Sequence, residues 1–186
     1  MPPRLAGYSS VIRKKTTIEE SVNRIFKLCD ANLGNIYNFL DTISIDEHFK
    51  TFIKLCHSYN YQTFILSDGY EELITYILNK YKIQDTKVYA NKMKNKNNRF
   101  YIDPIYKNLK CGRCGTCKKQ LLELLRPNSC QTVYIGDGKS DICVSRYADI
   151  LFAKDRLLQH CQLNDIPAIP FSSFNDIINW IEMRNS

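Results

Sequence analysis

From residue 61 to the end of the chain, short apolar runs alternate with segments of helical periodicity. Each run stops at a turn signal, which is typical of buried strands. Strands that alternate with helices form a parallel sheet with helices on both faces, so we predict an α/β fold. The predicted strands are YQTFILSDG, QTVYIGDG and DILFAKD, and the predicted helices are EELITYILNKY, CKKQLLELLRP, SDICVSRYA, DRLLQHCQLN and FSSFNDIINWIEM, the last with Ser173 as its cap.

The part of the chain before residue 61 is mainly helical by the same criterion. Thr17 is the expected N-cap of an amphipathic helix whose apolar face consists of Ile18, Val22, Ile25, Phe26 and Cys29. Two further helices are predicted, over Leu33 to Leu40 and in DEHFKTFIKLCHSY, the latter with an apolar stripe of Phe49, Phe52, Ile53 and Cys56. A β-hairpin is predicted near 87–102, where KVYANKM and RFYID flank KNKNN.

Length and composition exclude several classes of protein. A chain of 186 residues with 44% apolar residues can bury a core. No apolar run is long enough to cross a bilayer, and MPPRLAGYSSVIRKK lacks the apolar centre of a secretory signal. We therefore expect no membrane segment and a cytoplasmic location. Four cysteines lie within apolar patterns and are interpreted as core thiols: Cys29, Cys56, Cys143 and Cys161.

The net charge of +7 is concentrated in one block. Residues 80–119 hold twelve Lys or Arg against only Asp85 and Asp103. Such a block attracts anions, but it has no aromatic repeat and no nucleic-acid motif. We expect a basic face beside an anion site rather than nucleic-acid binding.

Two predicted strands end in similar turns, Ser67-Asp68-Gly69 and Gly136-Asp137-Gly138. Ligands of parallel sheets bind at the carboxyl ends of the strands, where both turns lie. The Ser67 hydroxyl and the N–H groups that follow it suit a phosphate. Alternatively, Ser67 and Asp68 cap the helix that starts near Glu71.

A lysine and two carboxylates complete the candidate site. Lys118 or Lys119 begins a helix, where the helix dipole disfavours a cation, so an anion is expected nearby. The spacing from Asp137 to Asp141 allows one carboxylate to bind Mg²⁺ while the other orients a water or a lysine. Alternatively, Ser140 or Asp141 is simply the N-cap of a turn.

The order of serine, lysine and Gly-Asp-x-x-x-Asp, each at the mouth of one sheet, is more specific than any single motif. With this order of motifs, the chain resembles haloacid dehalogenase (HAD) superfamily phosphatases. Within that superfamily it resembles the methionine-salvage 2-hydroxy-3-keto-5-methylthiopentenyl-1-phosphate phosphatases. The resemblance extends over nearly all of the chain through MPPRLAGY, FILSDGYEELI, VYANKM, CGTCKKQLLEL, VYIGDGKSDICVSRYADILFAKDRLLQHC and IPFSSFNDI.

The resemblance implies a Rossmann-like core over 45–186 and a small helical cap over 1–44. It implies that Ser67 and Gly69 bind the phosphoryl group and that Lys118 neutralises its charge. Asp137 would bind Mg²⁺, supported by Asp141 as the second residue of the metal site. The implied activity is Mg²⁺-dependent hydrolysis of a small phosphorylated metabolite. The methionine-salvage enol phosphate is favoured, while phosphocholine, phosphoethanolamine and phosphoserine remain open.

The first motif of such phosphatases, a strand that ends in Asp-x-Asp-x-Thr or Val, is missing from the sequence, because no two of its aspartates are separated by a single residue. We expect the chain to begin just after the nucleophile and therefore to be inactive. The central first strand would then be absent as well, and its unpaired neighbours would lower stability and favour self-association.

Two other interpretations stay open. The chain is a non-catalytic truncated or decayed relative, or it is a metal-binding module built on Cys111, Cys114 and Cys117. Three thiolates at this spacing suit Zn²⁺, but a tetrahedral site needs a fourth ligand, and no His or Cys follows before Cys130.

Overall fold

The computed structural model describes residues 20, 21, 23, 24 and 33–185, apart from 85, 97, 98 and 111–113. The elements in chain order are α1 (Leu33–Thr42), α2 (Phe49–Ser58), β1 (Phe64–Tyr70), α3 (Glu71–Lys80), β2 (Lys87–Lys96), β3 (Arg99–Asp103), α4 (Lys118–Leu125), β4 (Val133–Gly136), a 3₁₀ helix (Lys139–Asp141), β5 (Ile150–Ala153), α5 (Asp155–Leu163), β6 (Ile169–Pro170) and α6 (Phe174–Asn185). Among these helices, none is both long and apolar enough to span a membrane.

The helix predicted after Thr17 falls mostly outside the described residues. Residues 20, 21, 23 and 24 are helical, as predicted, whereas its apolar face lies entirely outside the described part.

The strands form two three-stranded sheets. In the first, β1 pairs in parallel with β2, which pairs antiparallel with β3 in the predicted hairpin. In the second, β4, β5 and β6 are all parallel, with Ile135 opposite Phe152. The predicted α/β fold is therefore confirmed. Within the described residues, β1 and β4 each pair on one side only, and the expected lack of a strand between them stays a prediction.

Two hydrophobic clusters join the two sheets. Ile65 of β1 and Ile135 of β4 pack against the same cluster around Phe152, while Leu66 of β1 packs against a second cluster around the fully buried Leu157. Residues of both strands are thereby packed into the same core. The carboxyl edge of this pair is where the candidate residues were predicted to meet.

The helices cover the sheets as their sequence patterns predict. On α2, Phe52, Ile53 and Cys56 are buried, so the predicted stripe packs into the core, largely against α6. At the start of α6, Ser173 accepts the N–H of Asn175 at 3.2 Å and donates its own N–H to Asp176 at 3.1 Å. This reciprocal pair confirms Ser173 as the cap.

The C-terminal end of α1 is fixed to α3 through Lys80. Its ammonium group donates to the carbonyl oxygens of Leu40, Asp41 and Ile43, at 3.3, 2.6 and 3.1 Å. A cation at this end satisfies unpaired carbonyls and the helix dipole. The predicted boundary between a cap over 1–44 and a core over 45–186 falls at this junction and stays a prediction.

Two elements differ from the sequence prediction. The predicted helix SDICVSRYA is a 3₁₀ helix over Lys139–Asp141 followed by turns, because the Asp141 carboxylate binds the N–H groups of Asp137 and Gly138 and tightens the chain there. The two-residue strand β6 was not predicted, since it is too short to show alternation.

Candidate functional site

Lys118 is buried at the first position of α4, with 7% of its surface exposed. Its Nζ atom lies 2.6 Å from Asp141 Oδ1 and 3.0 Å from Ser140 Oγ. A charge in this position needs a partner, both because it is desolvated and because the helix dipole opposes it. The expected nearby anion is therefore the Asp141 carboxylate.

The Asp141 carboxylate accepts four hydrogen bonds. Oδ1 accepts from Lys118 and from the Tyr134 hydroxyl at 2.7 Å, while Oδ2 accepts the N–H groups of Gly138 at 2.9 Å and Asp137 at 3.2 Å. Burial raises the pKa of Asp141, but Lys118, Tyr134 and the Gly138 N–H together hold it below its usual value. Asp141 is therefore ionised at neutral pH.

Tyr134 is the protonated partner in this network. Burial is the main cause that raises its pKa far above the usual value, and the neighbouring Asp141 raises it further. The phenol therefore keeps its proton and donates it to Asp141. In the sequence, Tyr134 is part of a predicted strand, and no local pattern indicates this role.

In the loop after β4, the side chains of Asp141 and Leu157 lie so close to Gly136 that only glycine fits there. A Cβ atom at this position would lie 2.9 Å from Asp141 Cγ and 3.0 Å from Leu157 Cδ2. The N-cap residue of the 3₁₀ helix is Gly138. The alternative in which Ser140 or Asp141 is the N-cap residue is therefore wrong. Asp141 instead binds the N-cap N–H group from the third position of the turn.

Ser67, Asp68 and Gly69 were predicted to form a turn after the strand, but they lie within β1, where pairing with β2 is irregular between Leu66 and Tyr70; this irregular stretch is called the turn at Asp68 below. In it the Ser67 hydroxyl oxygen accepts the N–H of Gly69 at 3.0 Å. Asp68 Oδ1 accepts the N–H of Thr116 at 2.8 Å, which ties this turn to the loop before α4. The N-cap of α3 is Tyr70, so the alternative in which Ser67 and Asp68 cap that helix is wrong. The phosphate-binding roles of Ser67 and Gly69 stay predictions.

Asn91 supports the same turn from β2. It is fully buried, and its Nδ2 donates to the carbonyl oxygens of Asp68 at 2.7 Å and Gly69 at 3.2 Å. A Cβ atom on Gly115 would lie 2.5 Å from Asn91 Oδ1, so the loop before α4 needs glycine at 115. The sequence signal for Asn91 was a lone amide inside the apolar run of VYANKM.

Three segments are thus joined at one edge of the core. The turn at Asp68 is bonded to the loop at Thr116, and the helix that follows this loop is bonded through Lys118 to Asp141. Lys118 and Asp141 are in direct contact, and Ser67 and Gly69 flank the bonded Asp68. The segments that carry the Ser67 hydroxyl and the Lys118 ammonium group are thus linked by hydrogen bonds.

Of the two carboxylates predicted to form a magnesium site, only one is available as a direct ligand. No group of three or more His, Cys, Asp or Glu side chains that could hold a metal occurs in the part of the chain that the structure describes. Asp141 is already bound by four donors, whereas Asp137 is exposed. Mg²⁺ in proteins often takes one or two carboxylates together with waters and a phosphate. The residues therefore fit Asp137 as a ligand and Asp141 as its support.

The cysteines separate into buried and accessible groups. Cys56 and Cys161 are buried core thiols as predicted, and Cys29 lies outside the described residues. The prediction for Cys143 was wrong, because its segment is not a regular helix and Cys143 is exposed. The pKa of Cys143 is lowered to about 6, mainly by the Cys114 side chain and to a smaller extent by the charge of Lys118.

The zinc hypothesis is not settled by these contacts. Cys111 lies outside the described residues, and Cys117 is buried as the N-cap residue of α4. A zinc module on these cysteines stays a prediction.

Comparison with known proteins gives consistent results. A family model described as "Putative Phosphatase" matches residues 11–163. A 2-hydroxy-3-keto-5-methylthiopentenyl-1-phosphate phosphatase of Bacillus cereus (strain ATCC 10987 / NRS 248) is 30% identical over 176 residues, which cover 92% of this chain and 80% of that protein.

Solved structures are similar in fold. A phosphoserine phosphatase from T. onnurineus superposes with a TM-score of 0.60 at 13% identity, over 87% of this chain and 71% of that one. A substrate-bound phosphoserine phosphatase complex gives a TM-score of 0.62 at 20% identity, over 87% and 76% of the two chains.

Proposed function

The chain belongs to the "Putative Phosphatase" family of the HAD superfamily, and from this premise we propose that its candidate site binds the phosphate group of a small phosphorylated metabolite. The observation that carries the proposal is the buried Lys118 ammonium, which Asp141 holds at the carboxyl edge of the sheet. Asp141 already balances the charge of Lys118, but a phosphate oxygen that approaches the lysine would still interact with it strongly, because water screens a buried charge little.

Ser67, Lys118 and Asp141 each have a specific part in this proposal, whereas the Gly69 N–H group is already bound to Ser67. Because the Ser67 oxygen accepts the N–H of Gly69, the hydroxyl proton of Ser67 is available to donate to a phosphoryl oxygen. Lys118 neutralises the charge of the bound phosphate, and Asp141 keeps the lysine protonated and oriented. Asn91 fixes the turn through two carbonyl oxygens, so the Ser67 hydroxyl is held in place before the ligand arrives.

Magnesium is the proposed cofactor, with the exposed Asp137 as its carboxylate ligand. When bound, the ion would supply positive charge to the phosphate oxygens. Asp141 would remain hydrogen-bonded to Lys118 rather than bind the ion itself.

The proposed ligand class is a phosphate monoester of a small metabolite. The Bacillus cereus relative is named for the methionine-salvage enol phosphate 2-hydroxy-3-keto-5-methylthiopentenyl-1-phosphate, which is the first candidate. Phosphoserine, phosphocholine and phosphoethanolamine are the alternatives to be compared with it.

We propose that the 186 residues bind such esters without hydrolysing them. Phosphoryl transfer of the kind implied by the family needs an aspartate nucleophile and a second aspartate two residues later for proton transfer. The sequence has no pair of aspartates at that spacing. Joined to a strand that ends in Asp-x-Asp-x-Thr, the same site would act as a magnesium-dependent phosphomonoesterase.

Calorimetric titration of the purified chain with each ester, in the presence of Mg²⁺, tests the binding. We expect saturable binding that Lys118→Met and Ser67→Ala each weaken by about tenfold or more, equal to about 1.4 kcal/mol. Lys119→Met is the matched control, because Lys119 is a neighbouring lysine that pairs with Glu123 and Tyr147 instead. Absence of binding by the folded protein would overturn the proposal.

A phosphate-release assay tests the lack of turnover. We expect no release from the 186-residue chain and release after fusion to a strand with the Asp-x-Asp-x-Thr motif. Robust Mg²⁺-dependent release by the unfused chain would show that another residue is the nucleophile.

A further inference from the structure

We propose that Asp137 is a site of spontaneous isomerisation to isoaspartate, and that Asp141 suppresses this reaction in the folded protein. Asp137 is followed by Gly138, which has no side chain to hinder attack by its nitrogen on the preceding carboxyl group. The chain has two Asp-Gly links, the other being Asp68-Gly69, and both lie in the candidate site. The links most open to isomerisation are thus the ones on which the proposed function depends.

The reaction rearranges one peptide link and needs no reagent other than water. The Gly138 nitrogen attacks Cγ of the protonated Asp137 carboxyl group, a C–N bond forms, and the nitrogen proton and the carboxyl OH leave together as water. Water then adds to the main-chain carbonyl carbon of the resulting five-membered imide and breaks its bond to the nitrogen. The main chain now runs through Cγ and a free carboxylate remains on Cα, while the mass of the protein is unchanged.

Two hydrogen bonds hold the peptide group between Asp137 and Gly138. Its N–H donates to Asp141 Oδ2 at 2.9 Å, and its carbonyl oxygen accepts the N–H of Leu157 at 3.0 Å. The imide forms only when this peptide group is free to rotate and bring its nitrogen onto Cγ of Asp137, and a group bonded at both polar atoms is not free. The exposed Asp137 carboxyl group itself has no hydrogen bond to another side chain or to backbone within the described residues.

The Asp68-Gly69 link is held by one bond more. The N–H of Gly69 donates to Ser67 Oγ at 3.0 Å, and the carbonyl oxygen of Asp68 accepts from Asn91 Nδ2 at 2.7 Å. In contrast to Asp137, the carboxylate of Asp68 is also bound, by the N–H of Thr116 at 2.8 Å. Main chain and side chain are therefore both fixed at this link, and we assign the isomerisation to Asp137.

Isomerisation would alter the proposed magnesium ligand, a consequence that rests on the proposed function. In isoaspartate the main chain is longer by the Cβ atom, and the free carboxylate is attached directly to Cα. The carboxylate at 137 would therefore be drawn back toward the main chain, and the spacing between the N–H groups that Asp141 binds would change. We expect a chain that carries isoaspartate at 137 to bind Mg²⁺ more weakly.

Incubation of the folded chain at physiological temperature, followed by digestion and mass spectrometry that separates isoaspartyl from aspartyl peptides, tests the proposal. The measured quantity is the ratio of isoaspartate at 137 to isoaspartate at 68, because global unfolding exposes both links alike whereas local release exposes one. We expect Asp141→Ala to raise this ratio by about fivefold, since loss of a hydrogen bond increases the population of the free peptide group by about that factor.

Two further variants serve as controls. Asp149→Ala removes a different carboxylate, which accepts the N–H of Thr132 at 2.7 Å away from both Asp-Gly links, and should leave the ratio unchanged. Adding Gly138→Ala to Asp141→Ala should lower the ratio again, because the new Cβ hinders attack by the nitrogen and would lie at an ordinary 3.6 Å from its nearest neighbour in the wild type.

An unchanged ratio in Asp141→Ala would overturn the proposal, because the hydrogen bond would then not restrain the link. A lower ratio would also overturn it and would show that the Asp141 carboxylate promotes the reaction as a base. The same holds if Asp149→Ala raises the ratio as much as Asp141→Ala does, or if isoaspartate in the wild type forms mainly at 68. The assay needs neither a phosphate ester nor Mg²⁺, so its failure is distinct from failure of phosphate binding.

Discussion

Replacing Asp141 by asparagine removes a charge that pairs with a buried lysine. The side chains of Lys118 and Asp141 are only 8% and 5% exposed, and their atoms lie 2.6 Å apart. Removing one partner of a buried pair costs about 3–5 kcal/mol, because the remaining charge stays desolvated. The amide adds a second cost, since its NH₂ group would meet either the Lys118 ammonium or the N–H groups of Asp137 and Gly138. We expect Asp141→Asn to lower the free energy of unfolding by about 3–5 kcal/mol.

Urea unfolding followed by tryptophan fluorescence measures this loss. Trp180 is the single tryptophan and packs edge-on against Phe152 in the core, at 5.3 Å between ring centroids, so its emission reports core exposure. Asp103→Asn is the matched control, because Asp103 pairs with Lys94 in a partly exposed position. We expect the control to cost only about 0–1 kcal/mol.

A double variant separates the buried charge from other effects. Asp141→Asn combined with Lys118→Met leaves no unpaired charge in this contact, so it should be more stable than Asp141→Asn alone. The reasoning would be refuted if Asp141→Asn cost no more than Asp103→Asn, or if the effects of the two substitutions simply added.

Two further predictions concern the same edge of the core. Because the pKa of Asp141 is lowered in the folded protein, its contribution to stability is complete above about pH 4 and is lost as the pH falls through the folded pKa. In urea titrations at decreasing pH, the wild type should therefore lose more stability than Asp141→Asn, and parallel losses would contradict this. Gly115→Ala should lower the free energy of unfolding by about 1–3 kcal/mol, because its Cβ would meet Asn91 Oδ1 at 2.5 Å. Gly138→Ala is the control, since its Cβ would lie 3.6 Å from Asp141 Oδ2, an ordinary contact distance. Equal melting temperatures of the two variants would rule out the predicted clash at Gly115.

The sequence was a good guide wherever local pattern decides the structure. Lys118, Asp137 and Asp141 were predicted at the carboxyl edge of a parallel sheet because strand ends and helix starts can be recognised from nearby residues. The structure confirms the fold and places Lys118 against Asp141. The roles assigned to these residues in phosphate and metal binding stay predictions.

Contacts between distant segments account for what was missed. Asn91 bonds to Asp68 across 23 positions, and Thr116 bonds to it across 48, so no local pattern could indicate either contact. The segment after Gly138 has helical periodicity. However, the Asp141 carboxylate accepts the N–H groups of Asp137 and Gly138, and the first turn is a 3₁₀ helix. The exposed position of Cys143 follows from the same local change.

The contact between Gly115 and Asn91 also limits how this family can change its sequence. The space that the missing Cβ leaves at 115 is filled by the side-chain amide at 91, so the two positions share one volume. A larger residue at 115 becomes tolerable only after a smaller one has replaced Asn91, and that smaller residue would release the turn at Asp68. We therefore expect the two positions to covary among relatives, with glycine retained wherever the asparagine is retained.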